Sequence, residues 1–291
     1  MKHIFLLLFP FIAFSLAAQD ISFGFRAGLN FNRIDGDVES DGGKEVEQYT
    51  GNTGFHVGAS FTWKVTELMG LRAELIYNQK GARRQFDGPS YLDLKTTNGS
   101  VLSSTGTRQQ NLNLTTSYID IPVMGYFKPI EQVEIFAGAH LGFLVAANAF
   151  GELKYSNGRT STGSAFEDFR YEIDGNYLSD KPGEAIFDNP PKTITIGGGA
   201  TAEIPGSAGV YYEFSKDMGK LYKVIDVGAV GGIAVFLSGS LYISGRANWG
   251  LMDITKTGAD VSLIRKDGDA FLLRNDKDRN FSIQTSVGFE F

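Results

Sequence analysis

The sequence lacks cysteine altogether, so disulfides play no part in holding the fold together. Histidine is scarce, with 3 residues in the whole chain. The formal net charge is -6 at pH 7, and a chain without a basic excess gives no sign of a nucleic-acid partner. Beyond the N-terminal segment, no uncharged run reaches the ~20 residues that a membrane-spanning helix needs. We therefore predict a mature protein without disulfides, transmembrane helices or bound nucleic acid.

The N-terminal segment has the layout of a secretory signal peptide. Lys2 and His3 form a short polar start, residues 4–16 form an apolar stretch, and Ala17 and Ala18 close a cleavage zone of small residues. The apolar stretch is too short to span a membrane as a helix. We predict that residues 1–18 are a cleaved signal peptide and that residues 19–291 form one exported domain.

The sequence is rich in glycine and aromatic residues, which suit strands and tight turns, and it alternates strictly between apolar and polar positions. In the last segment, residues 281–291, the odd positions are apolar or threonine and the even positions are polar or glycine. Successive side chains of a strand point to opposite faces. The segment is therefore predicted to be a strand with one apolar and one polar face, and it ends on an aromatic residue, Phe291.

Seven other segments alternate in the same way. The predicted strands are residues 21–32, 55–64, 71–80, 117–127, 133–145, 224–236, 241–250 and 281–291. Their connections are alternately long and short, as in a chain that meanders through a membrane with turns on one side and extended loops on the other. The pattern predicts an all-β, eight-stranded, antiparallel, up-and-down transmembrane β-barrel. An exported β-sandwich, in which the apolar faces would meet each other, is the alternative.

Two features interrupt the regular pattern. Pro122 lies inside a predicted strand, where it cannot donate a hydrogen bond, and this predicts a bulge or weakened pairing. Residues 148–223 form the longest connection, which is interpreted as an extracellular insert. A structureless connection of that length is uncommon, so the β-like runs at residues 193–204 and 210–214 predict a hairpin of its own. The other long connections, residues 33–53, 81–116 and 253–279, are interpreted as extracellular loops.

Charged residues cluster on the inward faces of the predicted strands. The cations are Arg26, Lys64, Arg72, Lys80 and Arg246; the anions are Glu74, Asp120, Glu134, Asp226 and Glu290; His56 and His140 share these faces. An eight-stranded barrel is only wide enough to be filled by side chains, and buried charges must be paired. We predict a lumen charge network that plugs the barrel. A gated proton or ion path is the alternative.

One acidic segment resembles part of a calcium-binding loop. Asp37, Glu39 and Asp41 stand at alternate positions and Gly42 is sixth, but the twelfth residue is Gln48 where a glutamate would be needed. A solvated acidic loop is the simpler interpretation, and no metal or cofactor is predicted.

Enzymatic motifs are missing from the sequence. It contains no Gly-x-Ser-x-Gly elbow, no His-Glu-x-x-His pair and no phosphate-binding loop. His56 and His140 fall on inward faces, where hydrogen-bonded structural histidines are expected rather than catalytic bases. We predict that the protein is not an enzyme.

Several motifs together resemble the PorT-like outer-membrane β-barrel family. They are the opening at residues 23–30, the strand at residues 118–122, the glycines Gly231, Gly232 and Gly245, and the terminal residues 287–291. The resemblance implies an eight-stranded barrel in the bacterial outer membrane. It also implies insertion by the barrel-assembly machinery, which reads a C-terminal aromatic signal, here Phe289 and Phe291. The founding member of the family is linked to a secretion and gliding apparatus.

The function predicted from these features is that of a non-enzymatic outer-membrane barrel with a structural or interaction role. Its contacts would be the surrounding outer-membrane lipid, the barrel-assembly machinery and possible envelope or secretion-system proteins, the last through the extracellular loops. The alternative is a narrow channel or a transport- or secretion-associated component.

Overall fold

The structure is a computed structural model that describes residues 21–179, 185–186, 192–196, 198–204, 207–208, 219–268 and 270–291. The predicted signal peptide and the β-like run at residues 210–214 lie outside this part of the chain. No helix within the described ranges is long and apolar enough to cross a membrane.

The described residues form β-strands and one short 3-10 helix, Thr257–Ala259. The strands are β1 (Ile21–Asp35), β2 (Ser40–Asp41), β3 (Lys44–Glu45), β4 (Glu47–Thr50), β5 (Asn52–Lys64), β6 (Met69–Thr96), β7 (Val101–Ile130), β8 (Val133–Thr160), β9 (Phe169–Asn176), β10 (Ala185–Ile186), β11 (Lys192–Ile196), β12 (Ala200–Ile204), β13 (Ser207–Ala208), β14 (Ile225–Phe236), β15 (Leu241–Gly250), β16 (Val261–Asp267), β17 (Ala270–Leu273) and β18 (Arg279–Glu290).

The long strands pair into a ring. Going around it, β1 pairs with β5, then follow β6, β7, β8, β14, β15 and β18, and β18 pairs with β1. Every one of these pairings is antiparallel. On one side of the ring, short turns join β5 to β6, β7 to β8, and β14 to β15. The all-β, antiparallel class predicted from the alternation is therefore confirmed.

The wall of the ring has its apolar face outside and its polar face inside. Along β1, the side chain of Phe25 is 60% exposed, and Phe23 and Leu29 are also exposed. Between them, Arg26 is 3% exposed and Asn30 is fully buried. A protein surrounded by water has the opposite arrangement, because exposing a large continuous apolar surface to water is unfavourable. The outer face is therefore suited to contact with lipid.

Three strands continue far beyond the rest of the ring. The strands β6, β7 and β8 contain 28, 30 and 28 residues, and they remain paired with one another beyond the level where the other ring strands end. Residues 81–116, predicted to be a loop, are therefore almost entirely strand, and that prediction was wrong. In this extension the pattern inverts, since Leu92, Leu94 and Leu112 point inward and polar side chains point outward. Polar composition alone suggested a loop, although two-residue alternation was present.

The predicted insert at residues 148–223 also contains ordered strands. Its first part continues β8 to Thr160, and β9 then pairs back along β8. Residues 193–204, predicted to be one β-like run, form a hairpin by themselves, with β11 paired to β12, and β12 in turn touches the end of β6. The second run, residues 210–214, lies outside the described residues, so the hairpin predicted from the two runs stays a prediction. The connection at residues 253–279 contains a second small hairpin, β16 with β17.

Pro122 weakens one side of its strand, as its missing N–H requires. The pairing of β6 with β7 runs in one register, but it skips the positions between Ala73↔Val123 and Ile76↔Asp120. On the other side Pro122 pairs regularly opposite His140. The register shifts between β7 and β8 lie elsewhere, one of them between Ser117 and Tyr118, so no bulge forms at the proline itself.

The interior is layered along the axis of the ring. At the short-turn end, a small apolar cluster fills the lumen with the residues Met124, Tyr126, Phe136, Val230, Ala234 and Tyr242. Charged and amide side chains follow. Beyond them a larger apolar and aromatic core supports the extension of β6, β7 and β8. Most of the charged and amide side chains thus lie between two apolar clusters, whereas Arg72, Glu134 and Glu290 lie at the level of the first cluster, near the short turns.

The apolar outer face predicts a strong penalty for charge. Val287 is 57% exposed on β18 and pairs with the exposed Ile243 of β15. Val287→Arg is expected to cost about 2–4 kcal/mol of unfolding free energy if this level lies near the bilayer midplane. The measurement is urea unfolding of the protein folded into lipid vesicles.

The matched control for Val287→Arg is Leu241→Arg at the start of β15, beside the short turn. Arginine there should cost about 0–1 kcal/mol if the start of β15 lies at the membrane interface. Equal stabilities for the two variants and the wild type would mean that this face does not contact lipid.

Candidate functional site: the charge network inside the ring

The first group of ion pairs is centred on Glu74 of β6. Its Oε1 is 3.3 Å from Arg26 Nη1, and its Oε2 accepts a hydrogen bond of 2.7 Å from Arg246 Nη1. Arg246 also donates through Nε to Gln284 Oε1 at 2.6 Å. One carboxylate therefore bridges two guanidinium groups that arrive from different strands of the ring.

The second group, nearer to the short turns, is centred on Arg72. Its guanidinium donates two hydrogen bonds to Glu134, at 2.5 Å and 3.0 Å, and a third to Glu290 at 3.2 Å. Such two-pronged contacts are the strongest arginine–carboxylate geometry. Ser22 Oγ donates to the other oxygen of Glu290 at 2.6 Å, and Lys128 Nζ lies 3.8 Å from Glu134.

The third group lies toward the extension. Lys80 Nζ is 3.2 Å from Asp120 and 3.0 Å from Asp226. Each of these carboxylates also accepts a hydrogen bond from an amide side chain: Asn78 donates to Asp120 at 2.6 Å, and Asn280 donates to Asp226 at 3.0 Å. The ammonium of Lys80 therefore stands between two anions.

Amide side chains connect these groups, and the sequence analysis did not single them out. Asn78 Oδ1 accepts hydrogen bonds from Asn30 at 2.7 Å and from Gln284 at 3.0 Å. Because Gln284 also holds Arg246, the first and third groups form one connected network. Each of the three amides lies at an inward position of a strand whose side chains alternate between its two faces, and this alternation is the signal that could have identified them.

One predicted member is placed differently. Lys64 is half-buried at the last residue of β5, and it makes no ion pair with any residue in the described part of the chain. Its neighbour across the ladder is Gly70, beside a short turn. The lysine that reaches Glu134 is Lys128, which the sequence analysis did not place inside.

His56 makes two hydrogen bonds inside the ring. Its Nδ1 lies 2.6 Å from Asn30 Oδ1, and its Nε2 lies 2.7 Å from Ser286 Oγ. The connectivity resembles a serine–histidine–asparagine arrangement. However, Arg26 donates to the same Ser286 oxygen, and all of these side chains are buried among other side chains. A substrate has no access to this serine, so the arrangement serves the network. His140 is also buried, with Nε2 at 4.0 Å from Asp226.

The C-terminal aromatic residues lie on the outer surface. Phe289 points outward, Phe291 is 62% exposed, and their ring centroids are 6.2 Å apart. The main chain of Phe291 pairs with that of Phe23 through hydrogen bonds of 2.8 and 3.0 Å. The chain end therefore completes the junction between the first and last strands while its ring stays available outside.

The acidic segment at residues 37–42 has a different use for its central carboxylate. Glu39 accepts hydrogen bonds from Ser262 Oγ and from the main-chain N–H of Leu263, the latter at 2.9 Å. This carboxylate ties the connection after β1 to β16. Within the described ranges no group of three acidic or histidine side chains is arranged to hold a metal ion.

A ring of antiparallel strands with an apolar outside and an ionic inside defines the class of outer-membrane β-barrels. The comparison with protein families agrees with this class. The chain belongs to the outer membrane protein beta-barrel domain family, whose model matches residues 17–256. It is therefore an outer-membrane β-barrel protein.

Solved structures with some similarity include several outer-membrane proteins. Ail of Yersinia pestis, in complex with the heparin analogue sucrose octasulfate, is 9% identical, with 94% of this chain and 99% of that chain covered and a TM-score of 0.35. Neisserial surface protein A is 12% identical, with coverages of 94% and 100% and a TM-score of 0.36. The outer membrane protease OmpT from Escherichia coli is 9% identical, with coverages of 93% and 96% and a TM-score of 0.30. These scores are too low to bear on function. No curated protein sequence matches the chain.

The network predicts a large effect for removing its central carboxylate. Glu74→Ala leaves Arg26 and Arg246 buried without their shared anion, and breaking a buried pair in this way costs about 3–5 kcal/mol. The expected result is a lower urea midpoint for the folded protein in vesicles.

Glu152→Ala is the matched control, because Glu152 forms an exposed ion pair with Arg170 on the outer face of the extension. Exposed pairs contribute about 0–1 kcal/mol, so this variant should unfold near the wild-type midpoint. A Glu74→Ala protein as stable as Glu152→Ala would show that the network does not contribute to folding.

Proposed function

We propose that the eight strands of the ring cross the outer membrane as a closed, non-enzymatic barrel. The barrel anchors the extracellular extension of β6, β7 and β8, and the extension makes contacts with other molecules of the envelope or its surroundings. The role is structural or interactive, and the lumen carries no flow of solute.

The observation that carries this proposal is the burial of charged and amide side chains at several levels of the lumen. Four of these side chains are fully buried, namely Glu134, Asp226, Gln284 and Asn78. These residues come from four strands around the ring and lie at different levels. A continuous file of water would have to touch some of them, and ions need such a file to pass. This supports a plug in preference to the alternative of a narrow channel.

The length of the extension supports the interaction role. A strand needs ~9–11 residues to cross the membrane, whereas β7 contains 30. Residues 81–96 of β6 add roughly 50 Å of strand, at ~3.3 Å per residue along the strand. Its apolar core is internal and its outer face is polar, as in a water-exposed sheet. A paired, packed structure of this size outside the membrane offers a defined surface for a partner.

The finer family assignment is also a proposal. The motifs at residues 118–122 and 287–291 support a place in the PorT-like branch, and with it the second candidate function, a role beside a secretion system. The exposed ring of Phe291 supports recognition by the barrel-assembly machinery. Crosslinking in intact cells that joins the extension to secretion-system proteins would favour this second candidate.

A closed lumen predicts electrical silence. The purified, folded protein in a planar lipid bilayer should give no stable conductance steps, because the ion pairs leave no water-filled path. A porin reconstituted under the same conditions is the positive control. Stable, reproducible steps from the wild-type protein would refute the plug and favour the channel.

The absence of cysteine permits a direct test of orientation. Thr97→Cys lies in the turn between β6 and β7, and Gly239→Cys lies in the turn between β14 and β15, where a side chain meets no neighbour. In intact cells, a membrane-impermeant maleimide should label Thr97→Cys and leave Gly239→Cys unlabelled until the outer membrane is opened. The reverse labelling would place the extension in the periplasm.

A further inference from the structure

A small cavity lies on the extracellular side of the charge network. Its volume is about 60 Å³. Four tyrosine side chains line it, namely Tyr49, Tyr91, Tyr177 and Tyr222, together with the carboxylates of Asp260 and Asp278. It lies where the connections after β1 and before β18 meet the extension, outside the membrane-spanning segments.

Arg84 also lines the cavity, and Arg274 lies close by; both arginines already have partners. Glu47 accepts 2.6 Å contacts from both Arg84 and Arg274. Burial alone would raise the pKa of Glu47, but the two guanidinium groups outweigh it and lower the pKa below its usual value. Arg274 also contacts Asp276 at 2.5 Å. Glu47 and Asp276 therefore neutralise the two arginines, and Asp260 is hydrogen-bonded to Asp276. The carboxylate of Asp278 comes in addition.

Asp278 has a free acceptor in a buried position. It is 7% exposed, and its Oδ2 accepts a hydrogen bond of 2.6 Å from Thr255 Oγ1. Its Oδ1 is buried and has no hydrogen-bond donor within the described part of the chain. A buried acceptor without a donor is costly, more so when it is charged. Neither Asp278 nor Asp260 forms an ion pair with any described cation.

We propose that this cavity binds a small primary ammonium compound, with Asp278 as its anionic partner and the tyrosine rings as its walls. A primary ammonium group has three N–H donors, which suits a carboxylate whose Oδ1 lacks one. Aromatic faces attract cations, and clusters of such rings recognise organic ammonium ligands. The carboxylate of Asp278, which has no cationic partner in the described part of the chain, favours a cation over an anion or a neutral molecule.

The cavity volume limits the ligand to a small one. A water molecule requires ~10–15 Å³ of such volume, so the cavity admits roughly four to six non-hydrogen atoms.

Two carboxyl groups at or beside the cavity have raised pKa values, as is expected where a positive charge that would stabilise their ionised forms is missing. Burial raises the pKa of Asp278 to about 6. Burial and a hydrogen bond with Asp260 raise the pKa of Asp276 to about 7. These groups retain protons at pH values where exposed carboxylates are ionised. A bound ammonium would stabilise the ionised forms, so binding should weaken as the pH falls through these values.

A pair of isosteric ligands tests the proposal on the wild-type protein. tert-Butylammonium and tert-butanol have the same size and differ in charge. In calorimetric titrations of the folded protein at about pH 8, above the pKa of Asp278, the ammonium should bind at least about tenfold more tightly than the alcohol. Tetramethylammonium, which lacks N–H donors, should bind more weakly than tert-butylammonium. Equal binding of the ammonium and the alcohol, or no binding of the ammonium, overturns the proposal.

The variant Asp278→Asn tests the carboxylate, and Asp87→Asn, an exposed carboxylate on the outer face of the extension, is the control. Asp278→Asn should weaken tert-butylammonium binding by about tenfold or more, and Asp87→Asn should leave it unchanged. Unchanged binding in Asp278→Asn overturns the assignment. Heat-dependent electrophoretic mobility reports whether each variant is folded, and Asp260→Asn replaces Asp278→Asn if the latter does not fold. The outcome is independent of conductance, so it is distinguishable from a failure of the proposed function.

Discussion

Glu74 binds Arg26 and Arg246 with its two carboxylate oxygens, and sharing of this kind is what makes charge tolerable inside the ring. Each group has lost its water, and the desolvation of a buried ion is only offset when its partners are close and its remaining atoms are hydrogen-bonded. Gln284 accepts such a bond from Arg246 Nε, and Asn78 in turn accepts a hydrogen bond from Gln284. The outer face can be apolar, as lipid requires, because most of the charged side chains of the ring strands find their partners inside.

The same strands serve two solvents. In β6 and β7 the portion near the short turns has apolar side chains outside and ions inside, and the portion beyond it has polar side chains outside and leucines inside. No break in the hydrogen-bond ladder between them is needed, because alternation continues and only the character of the two faces is exchanged. A rigid structure outside the membrane is thus continuous with the wall within it. Surfaces on the extension therefore keep a fixed position relative to the membrane-spanning ring.

Much of this arrangement could be read from the sequence, for physical reasons that also explain the failures. Two-residue alternation with large apolar residues identified the membrane portion of every ring strand, and the inward charges at Arg72 and Glu134 follow from the same period. The extension is not predicted by the sequence pattern, because serine, threonine and asparagine dominate its outer face and such a polar composition is also typical of loops. Lys64 was assigned to the network because alternation gives the face of a side chain, but not whether a partner is within reach.

The junction between β1 and β18 joins the two ends of the described chain. Ser22 contacts Glu290, and Phe23 pairs with Phe291, across nearly the whole sequence. Contacts so distant in sequence form slowly, because the loop that they close is the entire domain. The final strand must therefore be made and exported before the first can lose its open edge. During that interval the chain has two unpaired strand edges, which are prone to wrong pairing with other chains. Biogenesis, more than equilibrium stability, is the stage at which this architecture is vulnerable.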